Sequence, residues 1–244
     1  MKILTMFCCL SSKKYVENVR ISPLMSPSYE NTISEVIFVA KSIDMKKKSS
    51  DGRIDSAMKE EPFLKELEKT LLSSHPLWKI NISPPRGCYD IKINSIHINL
   101  KITECKANDN AMNKPSMYFS ITGQTDYPYS SSWNDFLDMI IKAKSENKIK
   151  RTRDKSTEYH YLVKNKVTGD VLLKPIFDIH TYMSNPSNNL QINWKNEFNH
   201  RDYCIDESQY IEKVKSLMSC IQTSVREMIL RTKEFADADI STYL

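Results

Sequence analysis

Asp90, Asn99 and Lys101 bring a carboxylate, a carboxamide and an ammonium onto one short stretch of chain. Tyr89-Asp90-Ile91-Lys92-Ile93 and the run Ile96 to Thr103 both alternate apolar and polar residues, as half-buried strands do. Only Asn94 and Ser95 separate them, which suits a two-residue hairpin turn. That turn fixes a register: Ile93 faces Ile96, Lys92 faces His97, Ile91 faces Ile98, and Asp90 faces Asn99. Directly opposed side chains share a face, about 5 Å apart, and Lys101 lies two residues further along the same face. Ile91, Ile98, Leu100 and Ile102 then point to the core.

Such a cluster has the parts for phosphodiester hydrolysis. A carboxylate (Asp90), an amide oxygen (Asn99) and the backbone carbonyl of Leu100 can hold a hard divalent ion such as Mg2+. The ion would neutralise phosphate charge and acidify a bound water. Lys101 would orient that water or counter the developing charge.

Glu104-Cys105-Lys106 offers a second arrangement, a literal E-x-K. Glu104 lies five residues past Asn99, about 17 Å along an extended strand. An odd offset also turns it to the other face unless a bulge intervenes. Geometry favours Asn99 and Lys101; residue spelling favours Glu104 and Lys106.

The pattern P-x(4)-Y-D, a short turn, then an apolar strand bearing N-L-K resembles the PD-(D/E)xK motif of type II restriction endonucleases. The resemblance assigns Asp90 to the first acid and Lys101 to the lysine. It differs at Asn99, where that family usually carries Asp or Glu and Asn is a minority variant. Pro84 and Pro85 also stand several residues before Asp90 rather than one. The family often adds a glutamate from the preceding helix, which points to Glu61, with Glu60 beside it. The resemblance further implies a homodimer acting on a short palindromic site in double-stranded DNA, within a restriction-modification system. A non-catalytic nucleic-acid-binding protein with a degenerate nuclease fold is the alternative.

The elements around the hairpin predict an α/β fold, a central mixed sheet flanked by helices and restriction-endonuclease-like. Phe63, Leu67 and Leu71 recur at helical spacing, with Pro62 suited to the first turn. A strand is expected over Met117 to Thr122, a helix on Trp133, Phe136, Leu137, Ile140 and Ile141, and a hairpin from Tyr159 to Ile176. Asn185 to Asn193 reads as a polar turn region. Tyr210, Val214, Leu217, Met218, Ile221, Val225, Met228 and Ile229 mark a long terminal helix. The whole chain, 1–244, is expected to form a single domain. Its catalytic core would span about 54–145, with DNA-contacting and dimerisation elements in 146–244.

Charge is uneven. Lys142, Lys144, Lys148, Lys150, Arg151, Arg153 and Lys155 oppose only Glu146 and Asp154, a local excess equal to the chain's formal +5. This patch suits a polyanion, and Lys148, Lys150, Arg151 and Arg153 are its candidate phosphate contacts. Asn189, Gln191 and Asn193 could pair with adenine edges. Four glycines in 244 residues form no nucleotide-binding loop. Six cysteines without a C-x-x-C pair suggest reduced thiols and a cytoplasmic protein. No apolar run reaches the length of a membrane helix. The apolar patch in MKILTMFCCL, lacking a cleavage site, is expected to be a first strand or buried arm.

Overall fold

The computed structural model describes residues 27–44, 51–85, 87–128, 132–187 and 189–238. The expected N-terminal strand or arm, and the polar connector over 45–50, lie outside them.

Two helices come first. α1 (Tyr29–Ser42) is capped by Ser28, whose hydroxyl accepts the Asn31 N–H. α2 (Gly52–Ser74) begins ten residues before Pro62, which therefore sits in the helix interior rather than in the first turn. Its opening turns carry no apolar stripe. Their inward face is instead the buried ion pair of Asp55 with Lys59, 2.8 Å apart, a pattern hydropathy does not show. Phe63, Leu67 and Leu71 are fully buried, as their spacing predicts.

The main sheet follows. β1 (Ile80–Ile82), β2 (Ile91–Ile93) and β3 (Ile96–Thr103) form an antiparallel meander. The β2–β3 register is the expected one, with Ile91, Lys92 and Ile93 facing Ile98, His97 and Ile96. Asn94 takes φ 55°, a left-handed turn conformation that asparagine tolerates. β5 (Tyr159–Asn165) lies parallel to β3, and β6 (Val171–Pro175) closes the sheet antiparallel to β5, giving the order β1-β2-β3-β5-β6. Two of the five strands thus come from beyond residue 145.

Between β3 and β5 the chain runs through β4 (Asp109–Asn110), α3 (Lys114–Thr122) and α4 (Trp133–Ser145). α3 occupies the segment expected as a strand. Ser116 through Thr122 are all buried, so no polar face betrays the helical period. The true signals were its ends: Asn113 accepts the Ser116 N–H, Pro115 sits in the first turn, and Gly123 at φ 72° terminates the helix. β7 (Met183–Asn185) and β8 (Asn189–Ile192) pair within the region read as turns, and β4 joins them in a small sheet ordered β4-β8-β7. α5 (Trp194–Asn199) and α6 (Tyr210–Ala236) follow.

The sheet separates two cores. Ile91, Ile98 and Leu100 pack with Leu162 against α1 and α2. Tyr159, Tyr161 and Val163 pack on the other side with α3, Phe136, Trp194 and the α6 residues Tyr210, Val214, Leu217 and Ile221. The α6 stripe is buried through Val225, while Ile229 is 54% exposed. The molecule is therefore α/β, a mixed five-stranded sheet and a three-stranded sheet flanked by helices.

Candidate active site

β3 buries Ile96, Ile98, Leu100 and Ile102 and leaves His97, Asn99 and Lys101 half-buried on the other face, the alternation its sequence predicts. Asp90 departs from the simple register. Its N–H bonds the Ile98 carbonyl at 2.9 Å, placing both Asp90 and Ile91 opposite Ile98, so the ladder ends at Ile91–Ile98 and Asp90 sits in a bulge-like offset. Asp90 Oδ2 instead accepts the Leu100 N–H at 2.7 Å. In a strand the N–H and C=O of one residue point the same way. The Leu100 carbonyl therefore projects to Asp90's side, beyond the end of β2.

Glu60, from α2, is the helix acid at this end of the sheet. Burial raises its carboxyl above the ordinary 4.5, opposed by the positive charge of Lys101 and reinforced by the negative charge of Asp90. Asp90 is raised above 3.8, again chiefly by burial, with the Leu100 N–H and Lys101 pulling it back. Glu61, expected as the first-choice acid, is exposed and bound to Lys65 at 2.6 Å. One residue is about 100° of helix, enough to turn Glu61 away from the sheet while Glu60 faces it.

Asn99 Oδ1 is buried and has no hydrogen-bond partner among the described residues. An orphaned oxygen on the strand that holds Asp90 suits a cation ligand. Asp90, Asn99 and the Leu100 carbonyl are oxygen donors of the kind a hard divalent ion takes, and Glu60 adds a carboxylate whose charge Asp90 influences. Among the described residues no group of three or more His, Cys, Asp or Glu side chains is placed to hold a metal. The candidate set is different in kind, drawing on an amide and a backbone oxygen.

Glu60 and Lys101 line a cleft of about 590 Å3 together with Glu104, Lys106, Asp109 and Lys166; Asp90 and Asn99 are not among its lining residues. Beyond β3, Cys105 adopts φ 56°, so the chain turns and presents both Glu104 and Lys106 to the same cleft. Glu104 is bound by Lys106 at 2.7 Å and lies 3.6 Å from Lys166, and hydrogen bonding to Lys106 holds its carboxyl below the usual value. The E-x-K pair is closed on itself. Asp109, which the sequence reading passed over, has a buried Oδ2 without a partner among the described residues. An acid so soon after the active strand was its only sequence signal.

The basic segment is less available than its composition suggests. Arg153 is 5% exposed, bonding Glu158 at 2.9 Å, Asp178 at 2.7 Å and the Ile205 carbonyl at 2.6 Å. It holds the fold together and is withdrawn from any phosphate. Lys150 donates to the Thr157 carbonyl at 3.3 Å and sits 5.7 Å from the Phe119 ring centre. Lys148 pairs with Glu146 at 2.7 Å, and Arg151 is exposed. Gln191 donates to Asn110 Oδ1 at 3.2 Å. Asn193 caps α5 through the Asn196 N–H and donates to Asn108 at 3.0 Å, a structural engagement on both sides. The side chain of Asn189 lies outside what the structure describes.

Comparisons with family models, with curated proteins and with solved structures found no match.

Proposed function

We propose that this chain is a divalent-metal-dependent endonuclease that hydrolyses phosphodiester bonds of double-stranded DNA, in the manner of the type II restriction enzymes its hairpin resembles. One observation carries the reading: a helix acid, Glu60, shares an electrostatic environment with Asp90 and Lys101 at the end of the strand bearing an orphaned Asn99 oxygen. On this reading they would be a nuclease site's parts, drawn from α2, from the residue before β2 and from β3.

Asp90, Asn99 and the Leu100 carbonyl would hold Mg2+, which when bound supplies charge neutralisation at the phosphate and a more acidic water. Lys101 Nζ would orient the attacking water or donate to a non-bridging phosphate oxygen. Glu60, partly desolvated, would accept the proton the attacking water gives up. Of the four candidate phosphate contacts, Arg151 is exposed and has none of the engagements described above, which leaves it for backbone contacts. On this reading the protein works in the cytoplasm as a homodimer on a short palindrome, because two antiparallel strands are cut equivalently by a two-fold assembly. Ile229 and Leu230, exposed on α6, are the surface assigned to pairing.

The test is incubation with mixed-sequence plasmid DNA and Mg2+, using Asp90→Ala and Lys101→Ala as controls. Discrete fragments from the wild type alone support the enzyme. Intact DNA across metals and salts, with DNA retained in a mobility shift, would replace it by the non-catalytic binding protein.

A further inference from the structure

The small sheet beside the cleft carries a feature the nuclease chemistry does not use. β4 and β8 pair with Asn110 opposite Gln191 and Asp109 opposite Ile192. Ile192 is buried in the core, so Asn110 and Gln191 share the opposite face. Along it run two amide–amide rungs: Gln191 Nε2 donates to Asn110 Oδ1 at 3.2 Å, and Asn193 Nδ2 donates to Asn108 Oδ1 at 3.0 Å. The rungs differ in standing. Asn108–Asn193 is partly buried, and Asn193 is also spent on capping α5. Asn110–Gln191 is exposed, joining the edge strand β4 to the central strand β8.

We propose that the Asn110–Gln191 rung reads an adenine in the major groove of duplex DNA, with Asn108–Asn193 holding the strand pair in place. This rests on the nuclease reading above, whose substrate it narrows. Each primary amide has one acceptor oxygen and two N–H donors. The rung engages the Asn110 oxygen and one Gln191 N–H, leaving Asn110 Nδ2 as a donor and Gln191 Oε1 as an acceptor. Adenine presents the complement, N7 as acceptor and N6–H as donor. Guanine offers O6 where N6–H should be, so the Gln191 oxygen meets a second acceptor and the pairing fails. The hydrogen bond across the rung fixes both amides before DNA arrives, which lowers the ordering cost of binding.

Placement agrees. Asn108 and Asn110 line the same cleft as Glu60 and Lys101, so the Asn110 half of the rung borders the space a strand held at Lys101 would enter. Successive same-face positions on a strand advance about 6.8 Å, roughly two base steps of 3.4 Å, so one exposed rung addresses one base position.

The experiment selects bound duplexes from a library with a randomised core, in EDTA so that no cleavage intervenes. Wild-type protein is expected to enrich a motif with a fixed adenine. Replacing that adenine by 7-deazaadenine, which lacks the N7 acceptor, should weaken binding at least 5-fold, the lower end of the roughly 5- to 150-fold discrimination of one bidentate contact. Gln191→Ala and Asn110→Ala should each lose the preference at that position alone. Asn110→Asp keeps the side chain's shape without its donors and carries the same expectation if either truncation unfolds. A motif unchanged in the Gln191 and Asn110 variants overturns the proposal, as does a library without enrichment. Plasmid cleavage in Mg2+ by the same preparations reads the nuclease separately. A wild type that selects adenine but cuts nothing supports the rung and ends the nuclease reading; one that cuts while its variants keep the adenine does the reverse.

Discussion

The Leu100 N–H donates to Asp90 Oδ2 at 2.7 Å, so the acid that precedes β2 is held by the strand that carries Asn99 and Lys101. One backbone donor and one lysine do not offset its burial, and the Asp90 carboxyl stays above its ordinary 3.8. A carboxyl raised on folding lowers stability: the penalty grows as pH rises from the unfolded value and is complete above the folded one. Asp90→Asn keeps an acceptor for Leu100 and removes the charge. It should therefore raise the melting temperature in EDTA at pH 8 by a few degrees. Saturating Mg2+ should stabilise the wild type by about 5 °C or more and leave Asp90→Asn unmoved. Differential scanning calorimetry checks both, and equal magnesium shifts in the two proteins would remove Asp90 from the metal site.

Glu60 and Glu61 are neighbours in sequence with opposite surroundings. Glu60→Gln should lower the cleavage rate on the order of 10²-fold, the scale of a lost acid–base group. Glu61→Gln should stay within about twofold, since an exposed helix pair contributes little. Because burial raises Glu60, its ionisation limits the wild-type rate at pH values above the usual 4.5. The acid limb of the pH–rate profile should lose that group in Glu60→Gln. Single-turnover cleavage from pH 5 to 8 measures both effects.

Asn99→Ala should abolish most cleavage, whereas Glu104→Ala should remain active. The first removes the unpartnered oxygen of β3; the second takes a carboxylate from Lys106 and from Lys166, which keeps its pair with Asp55. Plasmid assays with matched protein concentrations decide between them. The reverse result would move the site to Glu104 and Lys106.

The hairpin was legible because its signals are local: a two-residue turn and strict alternation set the register without help from the rest of the chain. Glu60 over Glu61 was not, since the choice depends on the helix phase relative to the sheet, and Pro62 misplaced the helix start. Asn94's turn, the α6 stripe and the Tyr159–Ile176 hairpin were likewise readable. α3 was lost because burial on every side erases periodicity. Arg153 misled for a related reason: composition counts charges and says nothing of Glu158 and Asp178, which only tertiary folding brings to it. The small sheet was hidden in polar, turn-like sequence, its strands only two to four residues long.

Arg153 provides a stability test of that correction. Arg153→Ala leaves Glu158 and Asp178, both under 5% exposed, without their main cation. Lys155, 3.6 Å from Asp178, compensates only one of them. Breaking a buried pair from one side costs about 3–5 kcal/mol, so urea denaturation should show a loss of that size. A stable Arg153→Ala protein with weakened DNA binding would return this residue to the nucleic-acid surface.

His160 is one source of acid sensitivity in the fold. It is fully buried on β5, its Nδ1–H donating to the Glu158 carbonyl at 3.0 Å and its Nε2 accepting the Tyr29 hydroxyl at 2.8 Å. The neutral ring is thereby satisfied on both sides, and burial lowers its pKa from 6.5 to about 4. A histidine depressed on folding takes up its proton first in the unfolded chain, so stability is full above about 6.5 and falls as pH drops towards 4. Between pH 7 and pH 5 that shift alone removes about 2 kcal/mol. His160→Gln has no titrating ring, so its urea midpoint should start lower at pH 7 yet fall less on acidification. Parallel losses in the two proteins would assign the acid sensitivity to another group.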